Sequence, residues 1–170
     1  MNSDRFYLLS EITEQDIQEV LDMEEKVYSE NEQQTLERCK QFFTISQDIY
    51  LFFKDRLTER IVGSISYLPV TPSCYTMIKS GKFIEKDIVP CMIRPYSDLV
   101  YFSGIIIKED YRNSGLLRLM LKEFIHRTQG MGQIIADAVT NEGARLCKLF
   151  GMDRIRQSDH NSIIYEKILM

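Results

Sequence analysis

The stretch Tyr111–Arg118, with the sequence YRNSGLLR, lies between an apolar run of β character, Leu99–Ile107, and an apolar run with helical spacing, Leu116–Ile125. A strand, a glycine turn and a helix start in this order form a natural anion site. The first N–H groups of a helix have no partner inside the helix, and the helix dipole gives them partial positive charge. Gly115 lets a phosphate approach the main chain closely, and Arg112 and Arg118 add full positive charges. An ordinary strand–helix turn with a surface arginine is the alternative interpretation.

Two motifs resemble one known family. Arg112-x-x-Gly115 is similar to Arg/Gln-x-x-Gly-x-Gly/Ala, the coenzyme A pyrophosphate loop of the GNAT superfamily of N-acetyltransferases. Downstream, Asn141–Met152 resembles the segment Asn-x-x-Ala-x-x-Leu-Tyr-x-x-x-Gly-Phe of the same family. The sequence departs from the family at Leu117, where the pattern has Gly or Ala, and at Cys147, which replaces a tyrosine. The order of the remaining elements is compatible with the family, so the resemblance extends over the whole chain.

The resemblance implies an α/β (α+β) fold with a mixed, largely antiparallel sheet, flanked by helices and splayed between its two central strands. It also implies a binding site for acyl-coenzyme A at that splay. The pantetheine arm would bond to the backbone of Ile105 and Ile107 like an added strand. Asn141 would bind a pantetheine amide, unless it is a simple helix cap. The pyrophosphate would lie on the turn formed by Arg112, Asn113, Ser114, Gly115, Leu117 and Arg118.

The implied reaction moves an acetyl or other short acyl group from acetyl-CoA to a primary amine by direct attack. A lysine-like amine with a pKa of ~10.4 must first lose a proton, at a cost of roughly 4–5 kcal/mol at neutral pH. Many family members carry a glutamate on the central strand just before the position of Ile105, where this chain has Ser103 and Gly104. The base is therefore unassigned. Glu24 and Glu25 are candidates, although a solvated helix face suits both.

Cys147 has two interpretations. It could protonate the departing thiolate of coenzyme A as a general acid, in place of the family's tyrosine. A single cysteine on a short packed helix is more often a small buried hydrophobic residue. A nucleophilic role has less support, because no motif places His126 or His160 beside it.

The predicted function is the N-acyltransferase, and three departures from the family, at Leu117, Cys147 and the strand glutamate, lend support to a rival. In this alternative the chain is a non-catalytic coenzyme A binding or protein-interaction module of the same fold. A nucleotide-binding domain of another class is disfavoured, since neither G-x-G-x-x-G nor G-x-x-x-x-G-K-[ST] occurs. The predicted partners are an acyl-CoA and an amine-bearing acceptor.

Composition excludes several classes of protein. The length of 170 residues predicts a single domain over residues 1–170. A net charge of −4 argues against sequence-independent nucleic-acid binding and weakly favours a cationic substrate. No apolar run approaches the ~20 residues of a membrane helix, and Met1–Arg5 does not begin a signal peptide. The four cysteines are scattered without a C-x-x-C pair, so we expect no metal site, no disulfide framework and a cytoplasmic location.

The remaining pattern predicts a strand at Phe6–Leu9, helices from Thr13 and over residues 31–46, and a hairpin within residues 49–68. After the central strand and its helix, it predicts a strand at Gln133–Thr140, a helix at Asn141–Phe150, and a polar loop with a closing strand at Ile163–Ile168. All four prolines fall within residues 69–98. This excursion, with a short helix near Thr76–Lys79, is a candidate lid or substrate wall. The alternatives are a family-specific decoration and a contact in a homodimer.

Overall fold

The computed structural model describes residues 5–30 and 32–169. Within them lie seven strands: β1 (Phe6–Leu8), β2 (Tyr50–Asp55), β3 (Arg60–Pro69), β4 (Leu99–Ile107), β5 (Gln133–Ala138), β6 (Asp153–Gln157) and β7 (Ile163–Ile168). The α-helices in the same part of the chain are α1 (Glu14–Glu24), α2 (Leu36–Ile45), α3 (Pro72–Lys79), α4 (Leu116–Arg127) and α5 (Asn141–Leu149). The expectation that no signal peptide begins at the N-terminus concerns residues 1–4, which lie outside the described residues. The predicted start of a helix at residue 31 lies outside them too.

The strands follow the order β1-β2-β3-β4-β5-β7-β6. The β4–β5 pair is parallel, whereas the β1–β2, β2–β3, β5–β7 and β6–β7 pairs are antiparallel. The parallel register runs from Leu99↔Gln133 to Phe102↔Ala136, while β4 continues to Ile107. The predicted mixed, largely antiparallel sheet flanked by helices is confirmed.

The chain divides into two compact units. The first comprises the described residues up to Ser66 together with Gly104–Gln129. The second comprises Tyr67–Ser103 together with the described residues from Gly130 onward.

In the first unit, local side chains fix the helix starts. The Thr13 hydroxyl accepts from Asp16 N at 3.2 Å, and the Asp16 carboxylate accepts from Thr13 N at 2.9 Å. This reciprocal pair is the predicted N-terminal cap of α1. The Thr35 hydroxyl caps α2 by accepting from Arg38 N at 3.3 Å, so that helix begins at Leu36, later than the spacing predicts. The apolar face of α1 then packs in a core that also includes Phe52 and Ile106.

Gly63 lets α4 approach the sheet of the first unit. A Cβ at this position would lie 2.7 Å from Met120 Sδ, closer than real side chains come. The β2–β3 register also shifts between Phe53 and Lys54, beside the Phe53↔Gly63 pair. The sequence predicts a bulge or close packing at Gly63, and both occur.

In the second unit, β5 lies between β4 and β7 and contacts α3 and α5. A buried carboxylate, Glu166 on β7, accepts from Tyr75 OH at 2.8 Å and forms an ion pair with Lys79 at 2.7 Å. The edge strand β6 is exposed at every residue, so it carries no apolar alternation. For that reason the sequence assigns its residues to a polar loop, which is wrong.

The excursion at residues 69–98 is folded rather than structureless. Its helix α3 begins at Pro72, earlier than predicted, because Thr71 caps it and proline suits the first helical turn. Two 3₁₀ turns follow, at Glu85–Asp87 and Pro90–Met92. A β-bridge between Val70 and Ile93 joins the two ends of the excursion.

Candidate functional site

An open groove of about 700 Å³ lies at the start of α4 in the first unit. Its wall combines an apolar stripe with two cationic side chains and the main chain of the predicted anion turn. The lining residues are Ile107, Tyr111, Asn113, Gly115, Leu117, Arg118, Leu121, Lys122 and Ile125. Four of the predicted turn residues are among them, and so is Ile107 from the end of β4.

The turn adopts a conformation that leaves N–H groups available. Asn113 and Gly115 have positive φ values of 68° and 86°, in the left-handed region that asparagine and glycine tolerate. The N–H groups of Asn113, Gly115, Leu117 and Arg118 donate to no residue in the described part of the chain. Four unused donors at a helix start can donate hydrogen bonds to an anion.

Two predicted turn residues shape the turn instead. The Ser114 hydroxyl donates to Tyr111 O at 2.6 Å and accepts from Leu116 N at 3.3 Å. Arg112 N donates to Glu109 O at 3.0 Å, and the Arg112 side chain is exposed. Neither residue lines the groove. A direct phosphate contact from either therefore stays a prediction.

A buried carboxylate anchors the beginning of the turn. Asp55, at the end of β2, accepts from Tyr111 OH at 2.9 Å and from Arg5 Nη2 at 2.7 Å. Leu57 N donates to the same carboxylate at 3.0 Å. The Arg5 guanidinium, with the Leu57 N–H and Tyr111 hydroxyl, lowers the pKa of Asp55 to about 2. Tyr111 is thus held at one side of the groove by an ionised partner, a connection without a sequence motif.

The end of β4 offers main-chain groups. Lys108 N donates to Val62 O at 3.0 Å, toward β3. Successive residues of a regular strand direct their N–H and C=O groups to opposite edges, so those of Ile105 and Ile107 point away from β3. This orientation is the one an added, strand-like ligand requires. The side chain of Ile107 lines the groove, whereas that of Ile105 does not.

The side chain of Leu117 is not in the core. Helical spacing on α4 groups Leu117 with Met120, Leu121 and Phe124, which predicts that all four face the sheet. In the structure, Met120 and Phe124 are fully buried, whereas Leu117 is 37% exposed and lines the groove. The prediction is wrong because Leu116 occupies the buried position one turn before Met120. The Leu117 N–H nevertheless donates to no described residue.

The two candidate residues of α5 belong to the second unit. Asn141 is exposed, and Thr140 is the cap, accepting from Gly143 N at 3.0 Å. The interpretation of Asn141 as a simple cap is therefore wrong. Cys147 is 5% exposed, and burial raises the pKa of its thiol to about 11. A thiol with a raised pKa gives up its proton less readily, which favours the packing interpretation.

The candidate bases differ in their surroundings. Glu25 is exposed, whereas Glu24 lines a cavity of about 20 Å³ together with Ser64 and Ser66. In the second unit, Ser103 donates to a carboxylate that the sequence does not single out, that of Glu85, at 2.6 Å. Since Glu85 lies 18 residues earlier, in the excursion, only the tertiary structure reveals this pair.

Metal and membrane sites have no counterpart in the described part of the chain. Residues 5–30 and 32–169 contain no group of three or more His, Cys, Asp and Glu side chains that could hold a metal ion. No helix there is long and apolar enough to cross a membrane.

Solved structures share this fold over almost the whole chain. The loading GNATL domain of CurA from Lyngbya majuscula has a TM-score of 0.70 and 14% identity, over 96% of this chain and 97% of that chain. A GNAT-like decarboxylase, GphF, solved with isobutyryl-CoA, has a TM-score of 0.68 and 11% identity, over 98% and 100%. The GNAT family N-acetyltransferase YhbS from Escherichia coli, solved with CoA, has a TM-score of 0.60 and 15% identity, over 98% and 82%.

These likenesses confirm the GNAT fold. No model of a known protein family and no curated protein matches the sequence. Because the fold carries both an N-acetyltransferase and a decarboxylase, it does not by itself fix the reaction.

Proposed function

We propose that this protein is an acyl-coenzyme A dependent N-acyltransferase that moves an acetyl or other short acyl group to a primary amine. The groove at the start of α4 carries the proposal. Its turn presents the unused N–H groups of Gly115, Leu117 and Arg118, and the side chains of Arg118 and Lys122 add positive charge to a chain of net charge −4. Oriented N–H groups at a helix start suit a pyrophosphate.

The strand β4 supplies the second part of the proposed cofactor site. Pantetheine carries amides along its length, and the main-chain groups of Ile105 and Ile107 would bond to them. Asn141 is the proposed side-chain partner for a further pantetheine amide, since its side chain is exposed and does not cap α5. The two solved neighbours with bound CoA or isobutyryl-CoA support a cosubstrate of this class.

The proposed chemistry is direct attack without a covalent enzyme intermediate. The neutral amine forms the new C–N bond as the C–S bond breaks, and the electron pair of that bond leaves with the thiolate. The nitrogen loses two protons in total: one ends on the thiol of coenzyme A and the other reaches solvent. Alignment of the two reactants and an N–H donor near the acyl oxygen supply much of the acceleration.

A non-catalytic coenzyme A binding or interaction module is the second candidate. Two observations favour it: the Leu117 side chain stands on the groove wall where the family has Gly or Ala, and Cys147 is buried where the family has tyrosine. Both functions require acetyl-CoA binding. Affinity alone therefore does not separate them.

Release of free thiol from acetyl-CoA separates the two functions. We would measure it with polyamines, amino acids, aminoglycosides and peptides with free N-termini, against a reaction without amine that reports hydrolysis. The transferase predicts amine-dependent release and an acetylated product in the mass spectrum. Acetyl-CoA binding without amine-dependent release would establish the module instead.

The proposal includes the domain organisation, partners and location of the protein. We assign one domain to residues 1–170 and propose no nucleic-acid or membrane partner. Light scattering would test whether the protein forms a homodimer. The described cysteines are all free thiols: Cys39, Cys74, Cys91 and Cys147. Free thiols suit a reducing compartment, so we assign the protein to the cytoplasm.

A further inference from the structure

The excursion brings a carboxylate to the central strand within the second unit. Glu85 begins the 3₁₀ turn Glu85–Asp87. Its Oε1 accepts from Ser103 Oγ at 2.6 Å, and its Oε2 accepts from Tyr101 OH at 3.1 Å. Each carboxylate oxygen thus has its own hydroxyl donor on β4, which fixes the orientation of the group.

The position on β4 matters as much as the distances. Tyr101 and Ser103 are two residues apart, so their side chains share one face of the strand. Ser103 is one of the two residues that stand where the resembling family carries its strand glutamate. A carboxylate is therefore present at this part of the strand, but another segment of the chain supplies it.

Exposure permits a ligand at this carboxylate. Tyr101 is 3% exposed, and its ring provides a buried support, whereas Glu85 and Ser103 are only partly buried. An anionic group between a buried aromatic ring and solvent, held by two hydroxyls, suits the ammonium of an amine better than a neutral acceptor.

We infer that Glu85 binds the ammonium group of the acceptor and takes one of its protons, so that the amine can attack the thioester. The assignment rests on the proposed function. The carboxylate gains the proton, the nitrogen regains its lone pair, and Glu85 returns to the anion by releasing that proton to solvent. The hydroxyls of Tyr101 and Ser103 position the carboxylate and do not exchange protons with the amine.

A structural role for Glu85 makes a different prediction. If the carboxylate only fastened the excursion to β4, Glu85→Gln would lower the melting temperature and leave the pH dependence of the rate unchanged. Asp87→Asn is a matched control, because Asp87 is an exposed carboxylate in the same turn, where it accepts from Ile84 N at 3.1 Å. The amide of the variant can still accept that bond.

The experiment compares wild-type protein, Glu85→Gln and Asp87→Asn by thiol release from acetyl-CoA. The acceptors are putrescine, L-lysine, kanamycin and glycylglycine, each from pH 6 to pH 10, with acetyl-CoA affinity and melting measured alongside. We expect Glu85→Gln to lose about 10²-fold or more in kcat at pH 7, the usual scale for a positioned base. Below the pKa of each amine, its remaining rate should rise about tenfold per pH unit, following the fraction of neutral amine. Acetyl-CoA affinity and the Asp87→Asn rate should stay within twofold of wild type.

The possible results separate the two proposals. Suppose that the wild-type protein turns over, and that Glu85→Gln has a kcat within twofold of wild type and the same pH profile. This result overturns the role of Glu85 and leaves the transferase intact. Acetyl-CoA binding without thiol release for any amine overturns the transferase, and the role of Glu85 with it. Should Glu85→Gln be unfolded, Glu85→Asp decides: the base role requires a lower kcat with the wild-type pH profile, and an unchanged kcat contradicts it.

Discussion

Replacing Gly115 by valine should weaken acetyl-CoA binding by roughly 10- to 150-fold. Gly115 has φ 86° and ψ −2°, precedes the first residue of α4, and lines the groove with an unused N–H. A β-branched side chain there narrows the approach to the helix start. A hydrogen bond to a charged group contributes about 1.5–3 kcal/mol, and loss of one such bond gives this range of affinity.

The substitution also has a cost unrelated to the ligand. A left-handed conformation destabilises a residue with a Cβ by about 1–2 kcal/mol. Gly130→Val isolates this cost, because Gly130 has φ 89°, nothing lies within 4 Å of an added Cβ, and it does not line the groove. Arg112→Ala isolates one exposed charge, expected to change the affinity less than about fivefold.

Calorimetric titration of acetyl-CoA into each variant, with thermal melting alongside, tests the reasoning. Both valine variants should melt at lower temperature, and only Gly115→Val should lose affinity beyond tenfold. A folded Gly115→Val variant that binds acetyl-CoA as tightly as wild type would refute the anion site. So would an equal loss of affinity in Gly130→Val.

Three further substitutions probe separate features. Leu117→Ala should tighten acetyl-CoA binding, because the removed side chain stands on the groove wall. The free energy of unfolding should change by no more than about 0.5 kcal/mol. Weaker binding in the titration would show that Leu117 contacts the ligand. Asp55, whose pKa of about 2 lies below its unfolded value, contributes stability above about pH 4 that is lost as the pH falls toward 2. The difference in melting temperature between wild type and Asp55→Asn should therefore shrink from pH 5 to pH 2, and a constant difference would contradict the assignment. Cys147→Ala should lower stability by about 1 kcal/mol with kcat within twofold of wild type, and a kcat loss of about 10²-fold would instead identify Cys147 as the general acid.

Local chemistry made part of the fold predictable. The Thr13 and Asp16 side chains both accept from backbone N–H groups of the first turn, so their spacing alone predicts the start of α1. The glycine turn before α4 is equally local, since its left-handed conformation depends on one residue type. Both predictions are confirmed because the interactions involved lie within four residues of each other in sequence.

Helix periodicity was less decisive for α4. Apolar side chains occur at seven of its positions and cover most of its circumference: Leu116, Leu117, Leu119, Met120, Leu121, Phe124 and Ile125. Two stripes with a four-residue repeat are then possible core faces. Leu116, Met120 and Phe124 are buried against the unit, and the adjacent stripe lines the groove. The choice depends on the space that Gly63 leaves on β3, which no helix pattern contains.

The pair formed by Glu85 and Ser103 shows why missing family residues are weak evidence for lost activity. Read along β4, the sequence lacks the strand glutamate, which favours a non-catalytic module. In the structure, a carboxylate from the excursion reaches Ser103 at 2.6 Å and Tyr101 at 3.1 Å. A base acts through its position relative to the amine and not through its position in the sequence. A carboxylate supplied by another segment can therefore serve equally well. The departures at Leu117 and Cys147 remain, but they concern the groove wall and the leaving thiolate and not the amine, so each needs its own test.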